Sequence, residues 1–464
     1  MTLFTPQFDP FARRMRDADL PEIFIETFAF YYDQLVKGDT GMIPEAAIKP
    51  VLSLPDVESF PQQLAEVGEK ALRKTAVIKL NGGLGTSMGL EKAKSLLPVR
   101  EGLSFLDIIA RQAQHVGVPL LLMNSFVTEA DSLAHLQAYP ELWGELPLSF
   151  VQHKVPKIRQ DDLSPVSWSA DPELEWCPPG HGDIYTALIT SGTLPALLEA
   201  GYEYAFVSNA DNLGAVVDVT ILGYFADNQF PFMMEVADRT EMDKKGGHLA
   251  QRLDGQLVLR ESAQCPAEDM AKFQDVTRHR YFNTNNLWLN LKALQAIMAA
   301  NEHKLILPMI RNAKTVDPRD SSSTPVFQLE TAMGSAIAVF KGAQAVRVPR
   351  TRFAPVKKTD DLLAVRSDVY VLTEDHRIVR REARAHKHRF LLELDARYYK
   401  FVSQLDERFP EGVPSLLDCT SFAVVGDFKF GQNVVARGDV RLVNQSGQQV
   451  EIPAGTELSG SYQY

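Results

Sequence analysis

Apolar residues near the start of the chain recur at helical spacing. Ile23, Phe24, Phe28, Tyr31 and Leu35 predict a helix over 20–38, ended by Asp39-Thr40-Gly41. Pro44, Pro50, Pro55 and Pro61 then mark an irregular connection, so residues 1–70 read as a helical segment packed on a larger body. From residue 75 the rhythm changes. Short apolar runs at 75–80, 119–123, 204–208, 231–237 and 286–291 read as buried strands, and Leu106, Ile109, Ala113 and Val116 form a helical stripe between the first two. Strands alternating with helices through 71–365 predict an α/β domain built on a mainly parallel sheet. Beyond about residue 370 the pattern shifts again. Residues 376–389 are basic, a polar helix is predicted over 391–408, and 421–459 alternates apolar pairs with glycine, as in Val424-Val425-Gly426 and Phe430-Gly431. That last rhythm predicts short strands with regular corners, a small β-helix or β-roll within a third domain at 366–464.

Open α/β sheets bind ligands beyond the carboxyl ends of their strands. Two segments lie there. The first is Lys79-Leu80-Asn81-Gly82-Gly83-Leu84-Gly85-Thr86-Ser87-Met88-Gly89, with four glycines inside eight residues and Lys94-Ser95 just beyond. Glycine lets backbone N–H groups approach a ligand closely, and a strand ending in such a loop can cradle phosphate oxygens while Lys94 adds charge. The string is not a P-loop, since G-x-x-x-x-G-K-[ST] is absent, and Gly89 falls one residue late for G-x-G-x-x-G. It fits either a nucleotidyltransferase loop or a tight turn with no ligand. The second segment is Asn209-Ala210-Asp211-Asn212, where Asp211 can hold Mg²⁺ against phosphate or cap the next helix.

Two further strings qualify this picture. Pro178-Pro179-Gly180-His181-Gly182-Asp183 can hold backbone against a flat base or a sugar, although a lone histidine in such a loop is more often structural. Arg352-Phe353-Ala354-Pro355-Val356-Lys357-Lys358 matters only if the fold carries its lysines to the phosphate site. The basic run from Arg377 to Arg389 reads as surface.

A net charge of −11 over 464 residues argues against general nucleic-acid binding, and requires that any anionic ligand meet a local concentration of Lys and Arg. Cys177, Cys265 and Cys419 are odd in number and far apart, which supports neither a zinc site nor a disulfide framework and suits a reducing cytosol. Met1 to Asp17 lacks the apolar core of a signal peptide, and no apolar run approaches the length of a membrane span.

Taken together, the strings LNGGLGTSMG, KSLLPVR, PPGHGDIY, FVSNADNLGA, KGGHL, FNTNNLW, FQLETAMG and RFAPVKKTDDLL occur in order over roughly 75–365. They resemble the eukaryotic-type UTP–glucose-1-phosphate uridylyltransferases, and GDFKFGQNVVARGDV resembles that family's tail more loosely. The resemblance implies a GT-A-like Rossmann core, a helical N-terminal segment and a left-handed β-helix-like C-terminal domain. It implies catalytic roles for Lys94 and Lys357. Leu80, Asn81, Gly82 and Gly83 correspond to the loop over UTP, Gln152 and Gly180 to the uracil contacts, and Asp211 to the Mg²⁺ ligand. His181 and Asn209 correspond to positions near the sugar phosphate, and Gly247, Asn285, Asn286 and Glu330 to the glucose pocket. The expected partners are UTP and glucose 1-phosphate, with Mg²⁺ as cofactor, no nucleic acid or membrane, a cytoplasmic setting, and the C-terminal domain as the place for contacts between copies.

The chain departs from the family at Leu90-Glu91-Lys92-Ala93, where Gly and Pro are usual, and this makes Lys92 a rival of Lys94. Uridylyltransferases for other sugars carry a loop closer to G-G-Q-G-T-R, and this chain has Leu84 and Ser87 at the differing positions. A non-catalytic nucleotide-sugar sensor and an NAD(P)-dependent oxidoreductase are the rivals from other classes.

Overall fold

The computed structural model describes residues 5–382 and 390–464. Its frame is a ten-stranded sheet. Along its main path the order is Ile48–Pro50, His248–Arg252, Tyr281–Asn290, Tyr204–Asn209, Thr75–Asn81, Leu120–Asn124 and Ser149–Val151. Phe232–Asp238 runs beside Tyr281–Asn290 and carries Gln344–Arg347 on its far side, while Leu257–Arg260 folds back on His248–Arg252.

The expected strands all form, but the sheet is mixed and not mainly parallel. Thr75–Asn81 pairs in parallel with Tyr204–Asn209 and Leu120–Asn124. Tyr281–Asn290 is antiparallel to both Tyr204–Asn209 and Phe232–Asp238. An apolar run buried on both faces, such as 286–290, has no alternation that reveals its direction. The parallel half still aims Asn81, Asn124, Val151 and Asn209 at one edge, where the ligand-binding loops begin.

The N-terminal helices are Asp9–Asp17 and Glu22–Val36, the second within the predicted span. Phe8, Phe11, Phe24, Phe28 and Tyr32 bury one face of this pair against Val155, Ile158 and Leu329. The helix stops after Val36 because Lys37-Gly38-Asp39 leaves the apolar stripe and Gly38 takes a positive φ.

The C-terminal part corrects a second expectation. The predicted helix over 391–408 is instead a strand, Leu391–Leu394, followed by two short helices, Ala396–Tyr399 and Val402–Arg408. Leu391-Leu392-Glu393-Leu394 pairs in parallel with Ser421–Val424, and the Asp395 side chain caps the next helix by accepting from Arg397 N–H. The expected short strands do form. Leu391–Leu394, Ser415–Val425, Val435–Val443 and Glu457–Gln463 stack in parallel, with Phe428–Phe430 and Val450–Ile452 as a second parallel pair. Part of the basic run, 383–389, lies outside the described residues.

One apolar cluster joins this coil to the glycine loop. Phe422, Phe430, Val440 and Leu458 share it with Met88, Leu97, Val99, Leu213, Val356 and Leu362. A β-carbon at Gly89 would sit 3.0 Å from the Phe401 ring. The loop therefore rests on the C-terminal coil on one side and on the sheet on the other.

Candidate active site

Thr75–Asn81 delivers the glycine loop. The Asn81 amide is buried and donates to Asn124 Oδ1 at 2.7 Å and Ser132 Oγ at 2.8 Å, so it locks the strand end. Leu80 accepts Ala210 N–H at 3.1 Å, which joins this strand end to the Asp211 segment. Gly82 has its carbonyl held by Ser125 Oγ at 3.0 Å, while Gly83 has open space where a side chain would be. Gly85 and Gly89 adopt positive φ, which turns the loop back toward Lys94.

Lys94 N–H donates to Gly83 O at 3.0 Å, and its ammonium lies 2.7 Å from Asp211 Oδ2. The two side chains are only 16% and 23% exposed, so the pair is sheltered but reachable. Lys92 is exposed. The pair with Asp211 is made by Lys94, and this separates the two rival lysines.

The Pro355–Lys358 string comes to the same place. Val356 N–H donates to Asp211 O at 3.1 Å, Ala354 N–H to Asn212 Oδ1 at 2.9 Å, and Lys357 follows at the exposed rim. Behind it lies a buried polar network centred on Glu235. Arg352 donates to both oxygens of Glu235 at 2.7 Å. Trp288 Nε1 and Asn286 Nδ2 fill the remaining lone pairs of Glu235 at 2.9 and 3.0 Å. Asn286 is fully buried and also meets Asn212 and the Arg352 carbonyl, so it braces the wall and presents nothing to the pocket. Lys79 is buried beside this network, donates to Ser208 Oγ and Ala215 O, and is pushed down to about 7 by burial.

The segment carrying Gln152 is joined to the turn after Gly180 by His153 N–H, which donates to Asp183 Oδ2 at 2.8 Å. A β-carbon on Gly82 would stand 3.2 Å from Gln152 Oε1. Gly180 has φ +81°, and a β-carbon there would be 2.3 Å from Thr331 O and 3.1 Å from Glu330 Cβ, so the position excludes any side chain. Glu330 thus packs against Gly180, with its carboxyl pushed up by burial. His181 Nδ1 accepts Met333 N–H at 2.9 Å, and burial lowers the ring to about 4, so it is neutral with its proton on Nε2.

The third wall is built by Gly247 and Asn285. Asn285 has φ +59° and lies in a bulge where Tyr281–Asn290 slips past Phe232–Asp238. Its Oδ1 accepts Asn283 Nδ2 at 2.7 Å, and Asn283 N–H reaches Gly247 O at 3.4 Å. A β-carbon on Gly247 would lie 2.5 Å from Glu261 Oε2. Burial raises the Glu261 carboxyl and the charge of Lys357 pulls it back. Sequence reasoning missed Glu261: Leu-Arg-Glu-Ser carries no motif, and only the fold-back of Leu257–Arg260 on His248–Arg252 brings it here. Asn209 stands at its strand end, partly exposed.

A glycine-rich strand end beside a sheltered Lys–Asp pair, at the carboxyl edge of the parallel half of the sheet, is the arrangement of a nucleotide-binding transferase of the α/β class. The family model described as UTP–glucose-1-phosphate uridylyltransferase matches residues 24–437, and the chain belongs to that family. A potato protein named UTP–glucose-1-phosphate uridylyltransferase is 41% identical over 398 residues, covering 84% of this chain and 81% of its own. The baker's yeast protein of that name is 41% identical over 394 residues, 83% of this chain and 77% of its own. A mutant UDP-glucose pyrophosphorylase from Leishmania major in complex with UDP-glucose superposes with a TM-score of 0.91 at 44% identity, over 100% of both chains.

Proposed function

We propose that this chain transfers the uridylyl group of UTP to glucose 1-phosphate, giving UDP-glucose and pyrophosphate. The single observation that carries the reading is the Lys94–Asp211 pair at the glycine loop, in a chain 44% identical along its whole length to a protein crystallised with UDP-glucose. Activity and substrates rest on the relatives, and the residue roles rest on the family resemblance together with the place each residue holds in the fold.

A phosphate oxygen of glucose 1-phosphate attacks the α-phosphorus of UTP, the new P–O bond forms, and the bond to the β-phosphate oxygen breaks in line. The sugar phosphate is already ionised, so no general base is required. The obstacle is charge: like unit charges at about 4 Å repel by roughly 4 kcal/mol at an effective dielectric near 20. Lys94, Lys357 and the N–H groups of Gly82 and Gly83 reduce that repulsion and meet the charge growing on the departing pyrophosphate. Gln152 offers a carboxamide to the uracil edge and Gly180 a close backbone. His181, neutral, donates from Nε2 to an oxygen of the sugar phosphate. Asn285 and Glu261 receive glucose hydroxyls.

Mg²⁺ belongs to this proposal. Asp211 suits it, because one carboxylate plus phosphate oxygens is a common Mg²⁺ environment and a cationic ammonium already rests there. When bound, the ion supplies further neutralisation of the triphosphate. We also read the core as GT-A-like and the C-terminal coil as a left-handed β-helix that could bring copies together. A cytoplasmic setting is supported by three buried cysteines far apart along the chain.

The test is product formation from a panel of sugar 1-phosphates and nucleoside triphosphates, with and without Mg²⁺. UTP with glucose 1-phosphate should give equal amounts of UDP-glucose and pyrophosphate, faster than any other pair. A better rate with galactose or N-acetylglucosamine 1-phosphate, or no turnover at all, overturns the reading.

A further inference from the structure

Beside the expected uracil contacts lies a buried acid–imidazole pair to which no role has been given. Asp183 ends the 3-10 turn His181–Asp183, three residues after Gly180, and its N–H donates to Gly180 O at 3.2 Å. Its carboxylate crosses to the other base-side element. Oδ2 accepts His153 N–H at 2.8 Å, and both oxygens lie 2.9–3.0 Å from His153 Nδ1. The side chains are 2% and 8% exposed. A carboxylate only accepts, so the ring proton sits on Nδ1 and Nε2 is left to face Thr190 Oγ1 at 3.1 Å. The imidazole face is covered by Phe24 of the N-terminal helix, stacked at 4.1 Å and 16°.

His153 directly follows Gln152, whose own N–H is held by Asn124 O at 2.7 Å. The carboxylate therefore fastens the backbone of the residue after Gln152 to the turn that begins at Gly180. A buried acid with two donors from one residue costs desolvation that packing alone does not require, and this cluster spends it at the junction of two loops that otherwise share no backbone hydrogen bond between 151–154 and 180–183.

We propose that Asp183 and His153 are positioning residues that set the spacing between the Gln152 carboxamide and the Gly180 backbone, and so set selection of uracil over cytosine. The inference rests on the base-reading role given above to Gln152 and Gly180. Uracil presents an N3–H donor beside carbonyl acceptors, whereas cytosine presents an N3 acceptor beside an amino donor. A carboxamide held at one distance and orientation satisfies the first pattern and leaves buried groups unpaired with the second. If the clamp loosens, the amide can rotate and the two bases become more alike. The N-terminal helices then act as a buttress for base selection through Phe24.

The experiment measures kcat and KM for UTP and for CTP, with saturating glucose 1-phosphate, in the full-length wild type, Asp183→Asn, His153→Asn, His153→Leu and Gln152→Ala. Asp183→Asn keeps the shape but turns one acceptor into a donor facing donors. The ratio of kcat/KM for UTP over CTP should fall roughly ten-fold or more, mainly through KM for UTP, as expected for misplacement of a binding group. His153→Leu should behave similarly, and His153→Asn, whose amide N–H can stand in for Nδ1–H, should retain the ratio. If Asp183→Asn does not fold, the His153 pair supplies the same comparison. An unchanged ratio in Asp183→Asn and His153→Leu, with Gln152→Ala altering it, overturns the clamp alone. An unchanged ratio in all of them overturns the base-reading role as well.

Discussion

Lys94 and Asp211 meet across 117 residues of sequence, and the meeting is set by two strand ends held in register by the Leu80–Ala210 hydrogen bond. The pair predicts a sharp asymmetry between neighbouring lysines. Lys94→Met should lower kcat by about 10²–10³-fold, the usual cost of removing one preorganised charge from a phosphoryl site, with little change in unfolding midpoint. Lys92→Met should stay within a few-fold of wild type, and steady-state kinetics beside urea unfolding checks both. At Gly180 the constraint is steric. Gly180→Ala places a methyl 2.3 Å from Thr331 O at a φ of +81°, so KM for UTP should rise and stability should fall by about 1–3 kcal/mol in the same two assays. These residues were legible in the sequence because they sit in or beside glycine-rich loops at strand ends. Glu261 was not legible, since an ordinary acid gains its place only through a hairpin. Asn286 was legible as a member of its string but not as a buried brace, because sequence does not reveal which asparagine of Asn283, Asn285 and Asn286 turns inward around a bulge.

At the scale of elements, the sheet behind the site is held by the Glu235–Arg352 network. Arg352→Met leaves Glu235 buried without its bidentate partner and should cost about 3–5 kcal/mol in denaturant unfolding, a loss that Glu235→Gln alone would not reverse. Because the Arg352 carbonyl also receives Asn212 and Asn286, the loop carrying Asp211 should loosen with it, and proteolysis within 209–215 should quicken. The existence of the core strands was readable from apolar runs of the right length. Their directions were not, as the antiparallel Tyr281–Asn290 demonstrates. The 391–408 segment failed for a different reason: Leu391 to Leu394 is too short for a period to declare itself, and its parallel partner at 421–424 lies far along the chain.

For the molecule as a whole, His181, His248 and His279 make acid stability informative. Burial lowers His181 from 6.5 to about 4, and lowers His248 and His279, which stack at 3.8 Å between Phe273 and the Glu45–Arg260 pair. The unfolded chain takes up their protons first, so stability is full above about pH 6.5 and declines as the pH falls toward 4, by about 3 kcal/mol from His181 alone. Urea midpoints at stepped pH should show that decline, and His181→Gln should flatten part of it. The apolar cluster shared by Met88 and the C-terminal coil was also beyond the sequence, since a boundary at 365 looks clean in composition while Val356, Leu362 and Leu363 pack on both sides of it. In the proposed reaction a sugar phosphate oxygen attacks the uridylyl phosphorus within this frame. Glucose 1-phosphate labelled with ¹⁸O in its non-bridging phosphate oxygens, incubated with UTP and the enzyme, tests it directly by mass spectrometry of the products. All of the label should be found in UDP-glucose and none in pyrophosphate; label in pyrophosphate would rule out attack by the sugar phosphate on the α-phosphorus.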